Sequence, residues 1–597
     1  MNMRWSLDEL YTSFDSKEFS EDMAKVDELI EKIQKWAKEN LDSKDSPREK
    51  IEYFINGEIR FFDVFSRLII FSSLKSSVDA RDEEALKYLD KLQVKYSELT
   101  QPNVAFEKWL SSLDDLDKII EPSQLLSEHS FYLKEIIEKT EYLLSEDQEV
   151  LIAKMSNTGS KAWRQLQDIL TSTLLVDIEV DSKKKRLPLP IVRNMAYEGD
   201  TKLRKTAYEA ELQSYRKIEE SSAASLNGIK GEVLTVSAMR GYNSPLEETI
   251  LNSRIDEVTL NAMLKAMEES LPAFHKYYRR KAEILGHNNG LPFYDLFAPL
   301  GKMDIKFSYE EARDYIVNNF RSFSNKLADF AGNAFKKEWI DAEPREGKTG
   351  GAFCSNIHAI KGSRILSNFT GTFSDITTLA HELGHAYHGL CLESESPLNS
   401  YYTMPIAETA SIFCETIITD AALKEATQEQ SLGILESSIS DSGQVIVDIL
   451  SRFLFESKLF EIRRDHPLSV NELKKIMLDA QKKSYGNGLD HDYLHPYMWV
   501  CKSHYYSADR DFYNFPYAFG LLFAKGVYAE YLRRGEAFVP EYDKLLQATG
   551  KNNIADVAKM VNIDIRSIDF WRSSLELIEG DIDRFMGLSE KWCSALS

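Results

Sequence analysis

The segment Thr378-Leu-Ala-His-Glu-Leu-Gly-His-Ala-Tyr-His388 places His381 and His385 four residues apart, with Glu382 directly after the first. On a helix of 3.6 residues per turn, two imidazoles spaced in this way fall about 40° apart around the axis and about 6 Å apart along it, so they can share one metal ion. Neutral imidazole suits Zn²⁺, and the intervening Glu is placed to take a proton from a metal-activated water. The chemistry implied is metal-assisted hydrolysis of an amide. Ile376, Leu379, Ala380, Leu383 and Ala386 surround the motif and predict an interior position for both rings. Two imidazoles in a core are costly alone and satisfied on a metal.

A site of this type needs a third protein ligand and an open position for water. The candidates are His388 and a downstream acid. On an unbroken helix His388 lies about 10 Å along the axis from His381, too far for both to reach one ion. The better candidate is Glu408, in Pro405-Ile-Ala-Glu-Thr-Ala-Ser-Ile-Phe-Cys-Glu415. A helix there puts Glu408, Ser411 and Glu415 on one face. Glu408 follows His385 by 23 residues, enough for the chain to turn and return antiparallel. Glu415 or His388 is then expected to support the ligands from behind.

The chain around these residues resembles the oligoendopeptidase F family, within the thimet- and neurolysin-type zinc oligopeptidases. Trp339-Ile-Asp-Ala-Glu-Pro-Arg-Glu-Gly-Lys-Thr-Gly-Gly-Ala-Phe-Cys354 and Leu366-Ser-Asn-Phe-Thr-Gly-Thr372 resemble that family's approach to its zinc helix. Arg240-Gly-Tyr-Asn-Ser-Pro-Leu246 and Trp5-Ser-Leu-Asp-Glu-Leu-Tyr11 are also similar, so the likeness runs over most of the chain. It implies one Zn²⁺ per chain on His381, His385 and Glu408, with Glu382 as general base. It further implies a His and a Tyr that contact substrate and the reacting carbonyl. In His504-Tyr-Tyr-Ser-Ala-Asp-Arg-Asp-Phe-Tyr-Asn-Phe-Pro-Tyr-Ala-Phe-Gly520 these roles fall on His504 and Tyr513, with Tyr517 as a nearby candidate. Ser507 to Asp511 and Pro516 depart from the thimet-type pattern. A phenol or imidazole aimed at a developing oxyanion is what amide hydrolysis requires.

The elements that must position these groups are mostly helical. Ser20 to Asn40, Pro47 to Ser73, Asp82 to Leu113, Pro122 to Ser145, Leu260 to Leu285 and Tyr309 to Phe330 carry apolar residues at three- and four-residue spacing. Leu174 to Pro190 alternates like a strand, turns through Lys183 to Arg186 and stops on prolines, which predicts a hairpin and a boundary near 190. The expected division is an N-terminal helical domain, 1–190, and a catalytic domain, 191–597. A second β signal spans Gly350 to Phe373. Short strands there would leave an edge beside the metal for an extended peptide, with Gly350 and Gly351 among the substrate contacts. The expected fold is mainly α: a two-lobed helical zincin-type metallopeptidase with a small sheet beside the zinc helix and, as the resemblance implies, an enclosed substrate channel.

Composition narrows the setting. Of 597 residues, 43% are hydrophobic and 28% charged, and the net charge of −22 opposes nucleic-acid or anionic-membrane binding. The longest apolar runs fall far short of the ~20 residues that span a bilayer. The N-terminus lacks the pattern of a signal peptide, and five cysteines without paired spacing fit a reducing compartment. The expectation is a cytoplasmic zinc endopeptidase acting on short peptides. A carboxypeptidase on the same scaffold, with Arg510 holding the terminal carboxylate, is one rival. A non-catalytic peptide-binding protein with a vestigial site is another.

Overall fold

Helix breaks and caps decide how this chain is cut into elements. The computed structural model describes residues 1–301 and 306–596, with the backbone alone for residues 146 and 592–596. The first long helix, Lys17–Asn40, starts where the Ser16 hydroxyl accepts from the Phe19 N–H, and it buries Phe19, Val26, Ile30 and Ile33. Pro47–Val78 opens on its proline, which has no amide hydrogen to lose in a first turn. The single helix expected from Asp82 to Leu113 is two, Glu83–Ser97 and Thr100–Ser111. Continuing it through Pro102 would press the pyrrolidine ring against the carbonyl of residue 98. Similarly, Tyr309–Arg321 and Asn325–Lys336 are separate because Ser324 caps the second, accepting from the Leu327 N–H.

The chain divides into two units, each built from three stretches. Unit 1 comprises Met1–Tyr142, Asp304–Ala421 and Glu530–Asn562; unit 2 comprises Leu143–Met303, Ala422–Ala529 and Ile563–Ser597. The hairpin expected near 174–190 forms in unit 2 as antiparallel strands β1 (Leu175–Val180) and β2 (Lys183–Pro188). Asp181 and Ser182 turn it with φ of 54° and 60°, the left-handed pair that matches strand twist. Unit 1 holds a three-stranded sheet. β3 (Ile340–Asp341) pairs parallel with β5 (Gly362–Leu366), and β5 pairs antiparallel with β4 (Phe353–Ile357). β4 is therefore an outer strand. β5 leads within a few residues into the helix Phe373–Leu392, called here the motif helix.

The N-terminal part of unit 1 is packed by aromatic rings. Phe54 and Phe106 stack with centroids 3.6 Å apart, and Tyr11, Phe14, Phe19 and Phe71 meet edge to face. In unit 2 the order of the segment around Tyr513 rests on charge. Lys230, fully buried, reaches Glu456 Oε1 at 2.9 Å and Asp511 Oδ1 at 2.6 Å. The other Glu456 oxygen accepts from the Phe512 N–H, holding Phe512 at φ 52°, unusual for a residue with a side chain. Lys230→Met leaves two buried carboxylates without a cation. The expected loss of unfolding free energy in urea is about 3–5 kcal/mol, against under about 0.5 kcal/mol for replacing exposed Lys475.

Candidate active site

The motif helix begins at a reciprocal cap. The Thr372 hydroxyl accepts from the Asp375 N–H, and the Asp375 carboxylate accepts from the N–H groups of Thr372 and Thr370. Ile376, Leu379, Ala380, Leu383 and Ala386 are all buried, as their spacing predicts. Tyr387 donates to Asp543 Oδ1 at 2.6 Å, and Lys326 pairs with the other oxygen at 2.8 Å. The closest approach is at Gly384. A Cβ built there would lie 2.4 Å from the Ala410 carbonyl oxygen and 2.6 Å from Ser411 Cα. The helix expected from Pro405 to Glu415 is broken at Glu408 (φ −82°, ψ 1°), between Met404–Ala407 and Thr409–Glu425.

Three side chains converge as a result. Glu408 Oε2 stands 3.2 Å from His381 Nε2 and 3.5 Å from His385 Nε2. One ligand atom from each of these residues lies within 4.8 Å of the others. Each ring has a further acceptor: Glu415 Oε2 is 3.3 Å from His381 Nδ1, and the Ala407 carbonyl accepts from the His385 imidazole. Ser411 donates to Glu408 Oε2 at 2.8 Å, and Asn356 on β4 donates to the His385 carbonyl at 3.0 Å.

The electrostatics of the two rings differ. Burial opposes a charge on His381, but the carboxylates of Glu408 and Glu415 outweigh it and raise its pKa to about 10. Burial dominates at His385 and lowers it to about 4. Glu408 is pushed up by burial but held at about 2, chiefly by the hydrogen bond from His381 and the charges of both histidines. Glu382, 6% exposed, is pushed up to about 7 by burial, and its Oε2 has no hydrogen-bond partner among the described residues. Two imidazole nitrogens, a carboxylate oxygen and an adjacent orphaned carboxylate oxygen form a donor set that fits Zn²⁺ with an activated water.

His388 is fully buried, stacks on Tyr402 at 4.1 Å and bonds through Nε2 to Thr549 Oγ1 at 2.8 Å. It reaches neither of the other motif histidines by a hydrogen bond among the described residues. Gly350 and Gly351 precede β4, and Asn368 donates to the Gly351 carbonyl at 3.0 Å. His504, Tyr513 and Tyr517 belong to unit 2, where the two phenol oxygens are 2.8 Å apart. His504 Nε2 is 2.7 Å from Asn514 Nδ2, while Asn514 Oδ1 accepts from Arg452 at 2.7 Å, and Arg452 pairs with Asp448. With its oxygen taken by a guanidinium, Asn514 must donate to His504 Nε2, so the proton of the neutral ring sits on Nδ1. Burial and the nearby cations lower His504 to about 3. Sequence reasoning missed Asn356, Thr549, Asn514 and Arg452. Each is an ordinary polar residue whose partner is supplied by the fold.

The peptidase family M3 model matches residues 194–577, and the oligopeptidase F model matches residues 111–174. Oligopeptidase PepF of Bacillus subtilis (strain 168) is 23% identical over 98% of this chain and 87% of its own. An oligoendopeptidase F homolog of Lactococcus lactis subsp. lactis (strain IL1403) is 25% identical over 88% of each chain. A solved chain from Chlamydophila abortus shares the fold at TM-score 0.86 with 20% identity, covering 98% of both chains. Oligoendopeptidase-F from Enterococcus faecium does so at 0.70 with 17% identity, over 96% of this chain and 99% of that one. The chain belongs to peptidase family M3. It is an enzyme, a mainly helical metallo-oligopeptidase, and the resemblance seen in the motif and its flanks extends along most of its length.

Two outcomes are expected of variants here. Gly384→Ala forces the motif helix away from Ala410, at about 1–3 kcal/mol, and displaces Glu408 from both histidines. Metal content after dialysis against zinc should fall well below that of an exposed control such as Gly199→Ala, which meets nothing within 4 Å. The second outcome concerns acid. His388 holds a pKa of about 3 when folded because burial opposes its charge, against 6.5 as its ordinary value. Between those values the unfolded chain takes up a proton that the folded chain refuses, so stability falls as pH drops from about 6.5. In metal-free protein, His388→Phe should remove up to about 1.4 kcal/mol per pH unit of that slope, read as Tm against pH.

Proposed function

We propose that this enzyme is a zinc endopeptidase that hydrolyses internal bonds of short peptides, with one ion held by His381, His385 and Glu408. The observation that carries the reading is the convergence of those three ligand atoms within 4.8 Å of one another, beside the orphaned oxygen of Glu382. Bound there, zinc would supply Lewis acidity, lowering the pKa of water toward ~7 and polarising the scissile carbonyl. Glu382 accepts the proton of the attacking water and delivers it to the leaving amine. Glu415 and the Ala407 carbonyl fix the ring orientations by accepting their second N–H groups. His504, through Nδ1–H, and Tyr513, with Tyr517 beside it, donate to the oxyanion. An extended peptide adds to the outer strand β4 near Gly350 and Gly351, giving main-chain recognition with little side-chain preference.

The names of the relatives support short peptides as substrates: the Bacillus subtilis protein is an oligopeptidase and the Lactococcus lactis protein an oligoendopeptidase F homolog. A division of the sequence near residue 190 is supported by the M3 match beginning at 194. We place the enzyme in the cytoplasm: the four described cysteines are all free, and no helix of the described residues is long and apolar enough to cross a membrane.

The test separates catalysis from metal binding. Glu382→Gln keeps the side-chain shape and removes the base. The variant should retain near-stoichiometric zinc and lose about 10²–10⁴-fold in turnover of a peptide blocked at both ends. Glu408→Ala should lose the metal itself. Joint loss of zinc and activity in Glu382→Gln would show that Glu382 holds the site together, and unchanged turnover would remove it from the mechanism.

A further inference from the structure

Unit 2 contains a cavity of about 620 Å³, within the size range of sites that take small organic ligands. Part of its wall is aromatic, with Tyr294 nearby and Tyr197 stacked on Phe297 at 5.0 Å. Four cations line it: Arg193, Arg204, Arg452 and Lys502. Three are committed. Arg193 lies 3.2 Å from Glu211, Arg204 lies 2.7 Å from Asp295, and Arg452 pairs with Asp448. Lys502 is the exception: among the described residues its ammonium has neither a carboxylate partner nor a hydrogen-bond acceptor. Asp448 acts on it at longer range but is occupied by Arg452 and Tyr485. Asp168, also in the lining, is exposed and 4.0 Å from Arg164.

Lys502 is half-buried, and a lysine partly withdrawn from water is ordinarily paired, because its charge is costly to desolvate alone. Burial and the nearby Arg452 lower the pKa of Lys502, so the surroundings themselves disfavour its charge. A protein with three neutralised cations in one cavity and a fourth left open has an anion-shaped deficit of one charge.

We propose that this cavity binds the carboxylate end of a short peptide, with Lys502 as its counter-ion and the Tyr197–Phe297 wall against the terminal side chain. A single uncompensated positive charge matches a carboxylate, whereas a phosphate dianion calls for two or more donors of charge. That the carboxylate belongs to a peptide rests on the proposed function; the anion site itself does not.

Calorimetric titration of the zinc-loaded wild-type enzyme with N-acetylphenylalanine, N-acetylphenylalaninamide and inorganic phosphate tests this. The acid and the amide differ only in the charged terminus. The acid should bind about tenfold or more tightly than the amide, and phosphate more weakly than the acid. Lys502→Met should bring the acid-to-amide ratio to about one. Equal binding of acid and amide by the wild type overturns the proposal, as does tighter binding of phosphate. A preference that persists in Lys502→Met also overturns it, since the carboxylate then sits elsewhere, such as on the metal. Should Lys502→Met fail to fold, Lys502→Gln takes its place, with the acid-to-amide ratio again expected to fall to about one. Cleavage of a peptide blocked at both ends, measured on the same wild-type preparation, is separate: its absence removes the endopeptidase reading and leaves the Lys502 result standing.

Discussion

The contact on which unit 1 depends is backbone against backbone. The motif helix lies so close to the start of Thr409–Glu425 that residue 384 has no room for a methyl group. Glu408 sits at the break just ahead of that contact, so its reach toward His381 and His385 is set by helix spacing rather than by its own flexible side chain. The glycine between the two histidines in sequence is therefore what admits the carboxylate between them in space. Glycine inside a helix costs about 1 kcal/mol relative to alanine, and here the cost secures an approach no other residue allows.

That arrangement also separates two chemically identical rings. His381 and His385 share a helix, a face and a carboxylate, yet one is raised to about 10 and the other lowered to about 4. The difference is a second carboxylate: Glu415 faces His381, while a neutral carbonyl, that of Ala407, faces His385. Taken without a metal, the cluster already concentrates negative charge around His381, and a cation is what it is built to receive. Unit 2 solves the same problem internally, committing Lys230 to two carboxylates.

The proximity of His381, His385 and Glu408 was legible because it follows from two periodicities, four residues on one helix and a return after 23. The helical character was legible for the same reason, and so was the hairpin, whose strands alternate and end on prolines. Where legibility ended, the information was not periodic. Pro102 and Ser324 break apolar patterns that run straight through them. β3 has only two residues and exists because β5 lies beside it. Spacing sets His388 too far along the helix to share the ion and leaves it a supporting role behind the ligands, but its stacking on Tyr402 and its bond to Thr549 could not be read from spacing. The proton on His504 is fixed by Asn514 and Arg452, and no spacing rule links residue 452 to residue 504.

The order in which the chain is made bears on the motif helix. Its Tyr387 and His388 find their partners in Asp543 and Thr549, 156 and 161 residues further on. Both partners lie in the third stretch of unit 1, which begins only after 108 residues of unit 2 have been laid down between Ala422 and Ala529. During synthesis, the helix bearing both motif histidines emerges with one flank bare and stays so through most of the remaining translation. A nascent chain halted anywhere before residue 543 carries the whole histidine motif, already packed against β4 and the start of Thr409–Glu425, but leaves Tyr387 and His388 without the partners that anchor their flank.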